Sequence, residues 1–109
     1  MNIAISRTDH IGDVIMTMPM CGIIKKNFKD CNLFFIGSTY TKDIISCNKD
    51  VDTFIDYNHI LSLNNEDKIQ YIKSLNLDIV IFAFPCKELE RLIGCIVTLL
   101  LISHVKTPT

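Results

Sequence analysis

From Asp78 to Phe84 the chain reads DIVIFAF, six apolar residues in a row from Ile79 to Phe84. A stretch that is apolar on consecutive positions has no polar face to give to water. It suits a strand buried on both sides, as in the centre of a parallel sheet. Parallel strands need long crossovers, so a segment of this kind commits its neighbours to helices.

The rest of the chain meets that demand. Asn2 to Ser6 (NIAIS) and Asn32 to Gly37 (NLFFIG) are further short apolar runs, and Thr53 to Tyr57 (TFIDY) alternates like a more exposed strand. Between them, Asp13 to Phe28 places apolar residues at 14, 15, 18, 20, 23, 24 and 28, near a helical period, with Lys25, Lys26 and Lys29 at the favourable end of the dipole. Pro19 cannot donate to the carbonyl four residues back, which predicts a kink or a fresh first turn there. Thr41 to Cys47 reads as a short helix. Asn65, Glu66 and Asp67 open another helix, with Ile69, Ile72 and Leu75 on one face, and Lys87 onward is helical again. The order is β-α-β-α-β-α-β-α. It predicts a Rossmann-like α/β fold, a parallel sheet with helices on both faces and right-handed crossovers.

At 109 residues and 49% hydrophobic content the chain forms a single domain, 1–109, able to bury a core without staples. A net charge of −1 provides no basic field for a nucleic acid backbone. The five cysteines, at 21, 31, 47, 86 and 95, contain no C-x-x-C pair, which fits a reducing compartment, and the charged stretch after Ser6 rules out a signal-peptide core. These features predict a cytoplasmic protein.

Leu92 to Ser103 (LIGCIVTLLLIS) is apolar nearly all round but too short to cross a bilayer core of about 30 Å. It reads as a helix covered on both sides, as one whose outer face expects a partner domain, or, least well, as a membrane anchor. No strand is expected after it.

Ligands of open α/β sheets bind beyond the carboxyl ends of the strands, near the point where strand order reverses. Two polar loops are expected there, Arg7 to Gly12 and Phe84 to Lys87. The first has one glycine, so neither G-x-G-x-x-G nor G-x-x-x-x-G-K-[ST] can be written on it. Gly12 would let the backbone approach a ligand closely. Asp13 opens a helix, where an aspartate caps free N–H groups; at a cleft edge the same carboxylate can take a proton from a bound hydroxyl. Asp9 and His10 could join Asp13 around a metal, but the spacing is easily met by chance and no second ligand cluster supports it. Arg7 reads as a sheet-end cation or as an anion clamp.

The run ISRTDHIGDVIMTMP resembles the N-terminus of the heptosyltransferases of lipopolysaccharide core synthesis, glycosyltransferase family nine. The matching features are the strand Ile3 to Ile5, Arg7, the Gly12-Asp13-Val14 turn and Thr17-Met18-Pro19. NKDVDTFIDYN, from Asn48 to Asn58, and DIVIFAFPCK resemble later passages of the family, so the likeness covers roughly residues 1–90. It implies the N-terminal, acceptor-side half of a two-domain GT-B enzyme. Such an enzyme moves a heptose, typically from ADP-heptose, to a lipid-linked saccharide with inversion and without a cofactor or metal. The resemblance implies that Asp13 is the general base, with Arg7, Gly12 and Lys87 contacting the acceptor. It also implies a cytoplasmic enzyme, at most peripheral to the inner membrane.

The chain departs from the family in having no nucleotide-sugar half and in carrying LLLISHVKTPT where a basic strand is usual. This is the expectation for a truncated gene or a frame change near residue 92, a chain inactive alone unless a separately encoded C-terminal domain joins it. Two other readings stay open. One is a non-enzymatic receiver-like or flavodoxin-like module, using Asp9, Asp13, Asp56 and Lys87. The other is a degraded gene product.

Overall fold

The computed structural model describes residues 1–84 and 86–94, together with the backbone of strand 99–102. The strands are β1 (Asn2–Ser6), β2 (Asn32–Gly37), β3 (Thr53–Asp56), β4 (Ile79–Phe82) and β5 (Leu99–Ile102). The helices are α1 (Ile11–Asn27), α2 (Lys42–Ser46), α3 (Tyr57–Ser62), α4 (Asn65–Ser74) and α5 (Lys87–Gly94), with a 3-10 turn at Thr39–Thr41.

All pairings are parallel, in the order β3-β2-β1-β4-β5. From β1 the chain builds outward through β2 to β3, then returns to the other side of β1 to lay down β4 and β5. Right-handed crossovers in opposite directions put their helices on opposite faces. Accordingly Ile3, Ile5, Leu33 and Phe35 pack with Val14, Cys21 and Ile24 of α1 and Ile45 of α2. Ala4, Ile36, Val80 and Phe82, turned to the other side by the pleat, pack with Ile60 of α3, Ile72 of α4 and Leu89 and Ile93 of α5. The predicted parallel α/β sheet with helices on both faces is therefore present.

This order also decides against the receiver-like and flavodoxin-like reading. In those folds β1 lies between β2 and β3. Here, among the described residues, β3 is an edge strand paired only with β2, while β1 lies between β2 and β4.

Several elements differ from expectation. The helix expected over Leu92–Ser103 is replaced in part by a strand: α5 stops at Gly94, and Leu99–Ile102 pairs along β4 from Ile79 to Phe82. An all-apolar run has no period to separate helix from strand, and the open side of β4 supplies the pairing. Residues 95–98 and 103, the rest of that segment, lie outside the described residues. A fifth strand thus exists where none was expected, and among the described residues no helix is long and apolar enough to cross a membrane.

The second difference is α3, where the sequence reading extended β3 through Tyr57. Asp56 ends the strand and caps the helix, its carboxylate accepting from the N–H groups of Asn58 and His59. The third is α1, which starts at Ile11 with His10 at the cap position and runs through Pro19 without a fresh start. Proline leaves the Ile15 carbonyl without its helical donor. Ile15 is on the exposed side of the helix, at 49%, where solvent can serve that carbonyl.

Candidate active site at the reversal of the sheet

Strand order reverses at β1, so the loops leaving β1 and β4 diverge to opposite faces and open a crevice between them. The crevice is closed at its base by backbone bonds: the N–H of Ala83 donates to the carbonyl of Ser6, and that of Arg7 to the carbonyl of Ile36, each at 3.0 Å. Phe84 to Lys87 therefore emerges beside Arg7 to Gly12, as the sequence predicts for its two polar loops. Pro85, between them, lies outside the described residues.

Arg7 is the centre of the site. Its Nε donates to Oδ1 of Asp9 at 2.9 Å and one Nη to Oδ2 of the same carboxylate at 3.2 Å, a two-pronged pair. The other Nη donates, at 3.4 Å each, to Oγ1 of Thr17 and the carbonyl of Ala83. The guanidinium also lies 5.6 Å from the centroid of the Phe84 ring, at cation–π distance. A single side chain thus joins the β1 loop, α1 and the β4 loop.

Asp13 is the third residue of α1 and not its N-cap, a correction to the sequence reading. The helix begins two residues earlier, and the His10 side chain at the cap position makes no capping bond. In the first turn the carboxylate still gains from the positive end of the dipole. Its Oδ1 is 3.6 Å from Nη2 of Arg7, and its side chain is 49% exposed, against 11% for Asp9. Of the two carboxylates facing Arg7, only that of Asp13 is open to an incoming group. Thr17 ties the turn together by donating from Oγ1 to the Asp13 carbonyl at 2.9 Å.

The remaining predicted residues are placed as follows. Gly12 stands at the rim with open space around it, since an added Cβ would meet nothing within 4 Å. Packing within the chain does not demand a glycine there. Lys87 opens α5, just after the β4 loop, and is exposed. The Asp9 carboxylate, once a candidate metal ligand, has both oxygens on Arg7. Among the described residues no group of three metal-ligating side chains comes together.

Sequence reasoning missed the contributions of β2 and β3 to this edge. Tyr40 Oη donates to the Asp9 carbonyl at 2.8 Å and Ser38 Oγ to the Thr8 carbonyl at 2.7 Å, holding the β1 loop from the side. Thr39 Oγ1 donates to Asp56 at 2.7 Å, joining the ends of β2 and β3. Tyr57 donates to Glu88 at 3.4 Å and accepts from the Cys86 thiol at 3.3 Å. Burial, the Cys86 thiol and Glu88 push the Tyr57 phenol well above its ordinary range, so it stays a neutral donor. These bonds link loops far apart in the chain, and only the polar character of the loops hints at them. A groove of about 370 Å³ between α3, α4 and α5, lined by Tyr57, Ile60, Leu61, Ile69 and Leu89 among others, includes none of Arg7, Gly12, Asp13 and Lys87.

No family model and no curated protein matches this chain. Solved structures do. It superposes on the glycosyl transferase family 9 from Veillonella parvula DSM 2008 with a TM-score of 0.69 at 21% identity, covering 84% of this chain and 28% of that one. The E. coli heptosyltransferase WaaC with ADP-2-deoxy-2-fluoro heptose gives 0.68 at 16% identity, with 89% and 34% covered. The E. coli ADP-heptose lps heptosyltransferase II gives 0.71 at 10% identity, with 86% and 28% covered. The fold is shared with the heptosyltransferases. At these identities the likeness is one of fold, and the chain spans about a third or less of each structure's length. The glycosyltransferase-like fold expected from RTDHIGDVIMTMP is thus present, and the crevice just described lies within it.

Proposed function

We propose that this chain is the acceptor-side, N-terminal portion of a GT-B glycosyltransferase of the heptosyltransferase type, acting in lipopolysaccharide core synthesis. The observation that carries the reading is the half-exposed Asp13 carboxylate in the first turn of α1, at the point where the sheet reverses. A base has to be reachable by its substrate, and Asp13 is the carboxylate of this loop that is.

In this reading an acceptor hydroxyl of a lipid-linked saccharide binds against Asp13. Its oxygen attacks the anomeric carbon of ADP-heptose, the bond from that carbon to the phosphate oxygen breaks, and ADP leaves. The hydroxyl proton passes to Asp13 and the anomeric centre inverts. Gly12 leaves room at the rim for the acceptor, and Lys87, exposed at the start of α5, supplies a cation. No cofactor or metal enters the step. The nucleotide sugar requires a second domain, in the same or a separate polypeptide, because the chain spans only 28–34% of the heptosyltransferases and family-nine structure it matches. The setting is the cytoplasm, at most peripheral to the inner membrane, and nucleic acid is not a partner.

Titration of the ¹⁵N-labelled chain with a lipid-linked core saccharide tests the reading. Resonances of Arg7 to Asp13 and of Lys87 should move, and Asp13→Ala should weaken binding without unfolding the chain. An unchanged spectrum at saturating acceptor would overturn the assignment. ADP-heptose supplied with acceptor should give no transfer by the chain alone, and turnover would refute the need for a second domain.

A further inference from the structure

The guanidinium of Arg7 is already occupied. Three of its donor nitrogens serve Asp9, Thr17 and the Ala83 carbonyl, and the strongest of these interactions is the two-pronged pair with Asp9. Asp13 adds a second carboxylate 3.6 Å away. One cation between two carboxylates leaves the cluster with a net charge of −1, which repels phosphate or carboxylate. An anion clamp needs the opposite: donors free to turn toward the ligand and an excess of positive charge.

We propose that Asp9 and Arg7 are positioning residues, with Asp9 fixing the guanidinium so that Arg7 orients Asp13 and fastens the β4 loop to the β1 loop. The proposal rests on the reading of Asp13 as the base. It assigns a role to Asp9, which the sequence marked as a loop residue, a weak metal ligand or an acid of a receiver-like module. Its 11% side-chain exposure suits an internal partner better than a substrate contact. Tyr40 holds the backbone of Asp9 through its carbonyl, so the carboxylate is free to serve Arg7 alone. The pair also narrows the acceptor: the group docking directly on Asp13 is an uncharged hydroxyl, and any anionic group of the acceptor binds away from Arg7.

Arginine side-chain NMR on this chain tests the proposal without sugar or acceptor, so its failure is distinct from failure of the transferase reading. In the wild type the Arg7 Nε–H should exchange with solvent roughly tenfold or more slowly than in Asp9→Asn, the loss of one charge-assisted hydrogen bond. Inorganic phosphate should leave the Arg7 Nε resonance unmoved in the wild type and shift it in Asp9→Asn. The χ1 couplings of Asp13 should report one rotamer in the wild type, an average in Asp9→Asn and a return toward one rotamer in Asp9→Glu. If Asp9→Asn does not fold, Arg7→Lys keeps the charge, removes the fork and should likewise average the Asp13 couplings. A phosphate-induced shift of Arg7 in the wild type, or Asp13 couplings indifferent to both substitutions, would overturn the proposal.

Discussion

Replacing Ser6 by alanine should make this protein more stable, although Ser6 is a core position one residue from the candidate site. Its side chain is fully buried, and its Oγ is the one buried side-chain polar atom without a hydrogen-bond partner among the described residues. On the sheet Ser6 lies between Ile36 of β2 and Phe82 of β4, both fully buried and apolar. A hydroxyl in that setting has given up water for nothing, at a cost of about 1–3 kcal/mol. Alanine removes the oxygen and keeps the Cβ. The gap is smaller than a methylene, so the lost packing costs well under about 1 kcal/mol. The backbone bond from Ala83 N–H to the Ser6 carbonyl is untouched. The net expectation is a gain of ~1 kcal/mol, or about 4 °C in Tm for a domain of this size. Urea denaturation at neutral pH, followed by far-UV circular dichroism, should show a higher midpoint with an unchanged m-value. Ser6→Val adds volume to a closed space and should instead cost about 1–3 kcal/mol. If Ser6→Ala loses 1 kcal/mol or more, the hydroxyl has a partner and the reasoning fails.

Other outcomes follow from the same packing. In Gly37→Ala the new Cβ would lie 2.9 Å from Cδ1 of Ile45, 3.1 Å from Oγ1 of Thr41 and 3.2 Å from Cε2 of Phe54, so urea melts should show a loss of ~1–3 kcal/mol. Gly12→Ala meets open space in a helical first turn and should gain up to about 1 kcal/mol, while its methyl intrudes on acceptor binding in the NMR titration. The Asp52 carboxyl is raised by burial but held below its ordinary 3.8 by the Leu33 N–H and by Lys25. A lowered folded value means stability present above 3.8 and lost as pH falls through the folded value. Because the side chain is 41% exposed, that contribution is under about 1 kcal/mol. Asp52→Asn should flatten the acid limb of stability against pH by that amount, and an identical acid limb would remove Asp52 from it. Burial and the nearby Asp50 push the Cys21 thiol up to about 11, so at ~pH 8 a thiol reagent should label exposed Cys47 well before Cys21; equal rates would contradict the buried placement.

Local chemistry was enough to determine that this chain alternates strand and helix. NIAIS, NLFFIG and DIVIFAF are apolar on consecutive positions, which no one-sided sheet accommodates, and the helices between them carry their own period. It was enough, too, to place Asp13 near a helix start and RTDHIGDV at the point where the sheet reverses. Leu99–Ile102 was not legible, because an unbroken apolar run satisfies a helix or a strand equally and the open side of β4 made the choice. The short helix after Asp56 stayed hidden because a capping aspartate and a strand-ending aspartate look alike in sequence. The place of β4 beside β1 was expected from the doubly wound pattern, but the place of β3 was beyond reach: whether it pairs with β2 or β1 depends on crossovers between distant segments, and that pairing separates this fold from a receiver. The partner of Arg7 was decided in the same way. A loop arginine can turn outward to an anion or inward to Asp9, and only the folded loop, held by Tyr40 and packed beside Phe84, brings the fork and the carboxylate together.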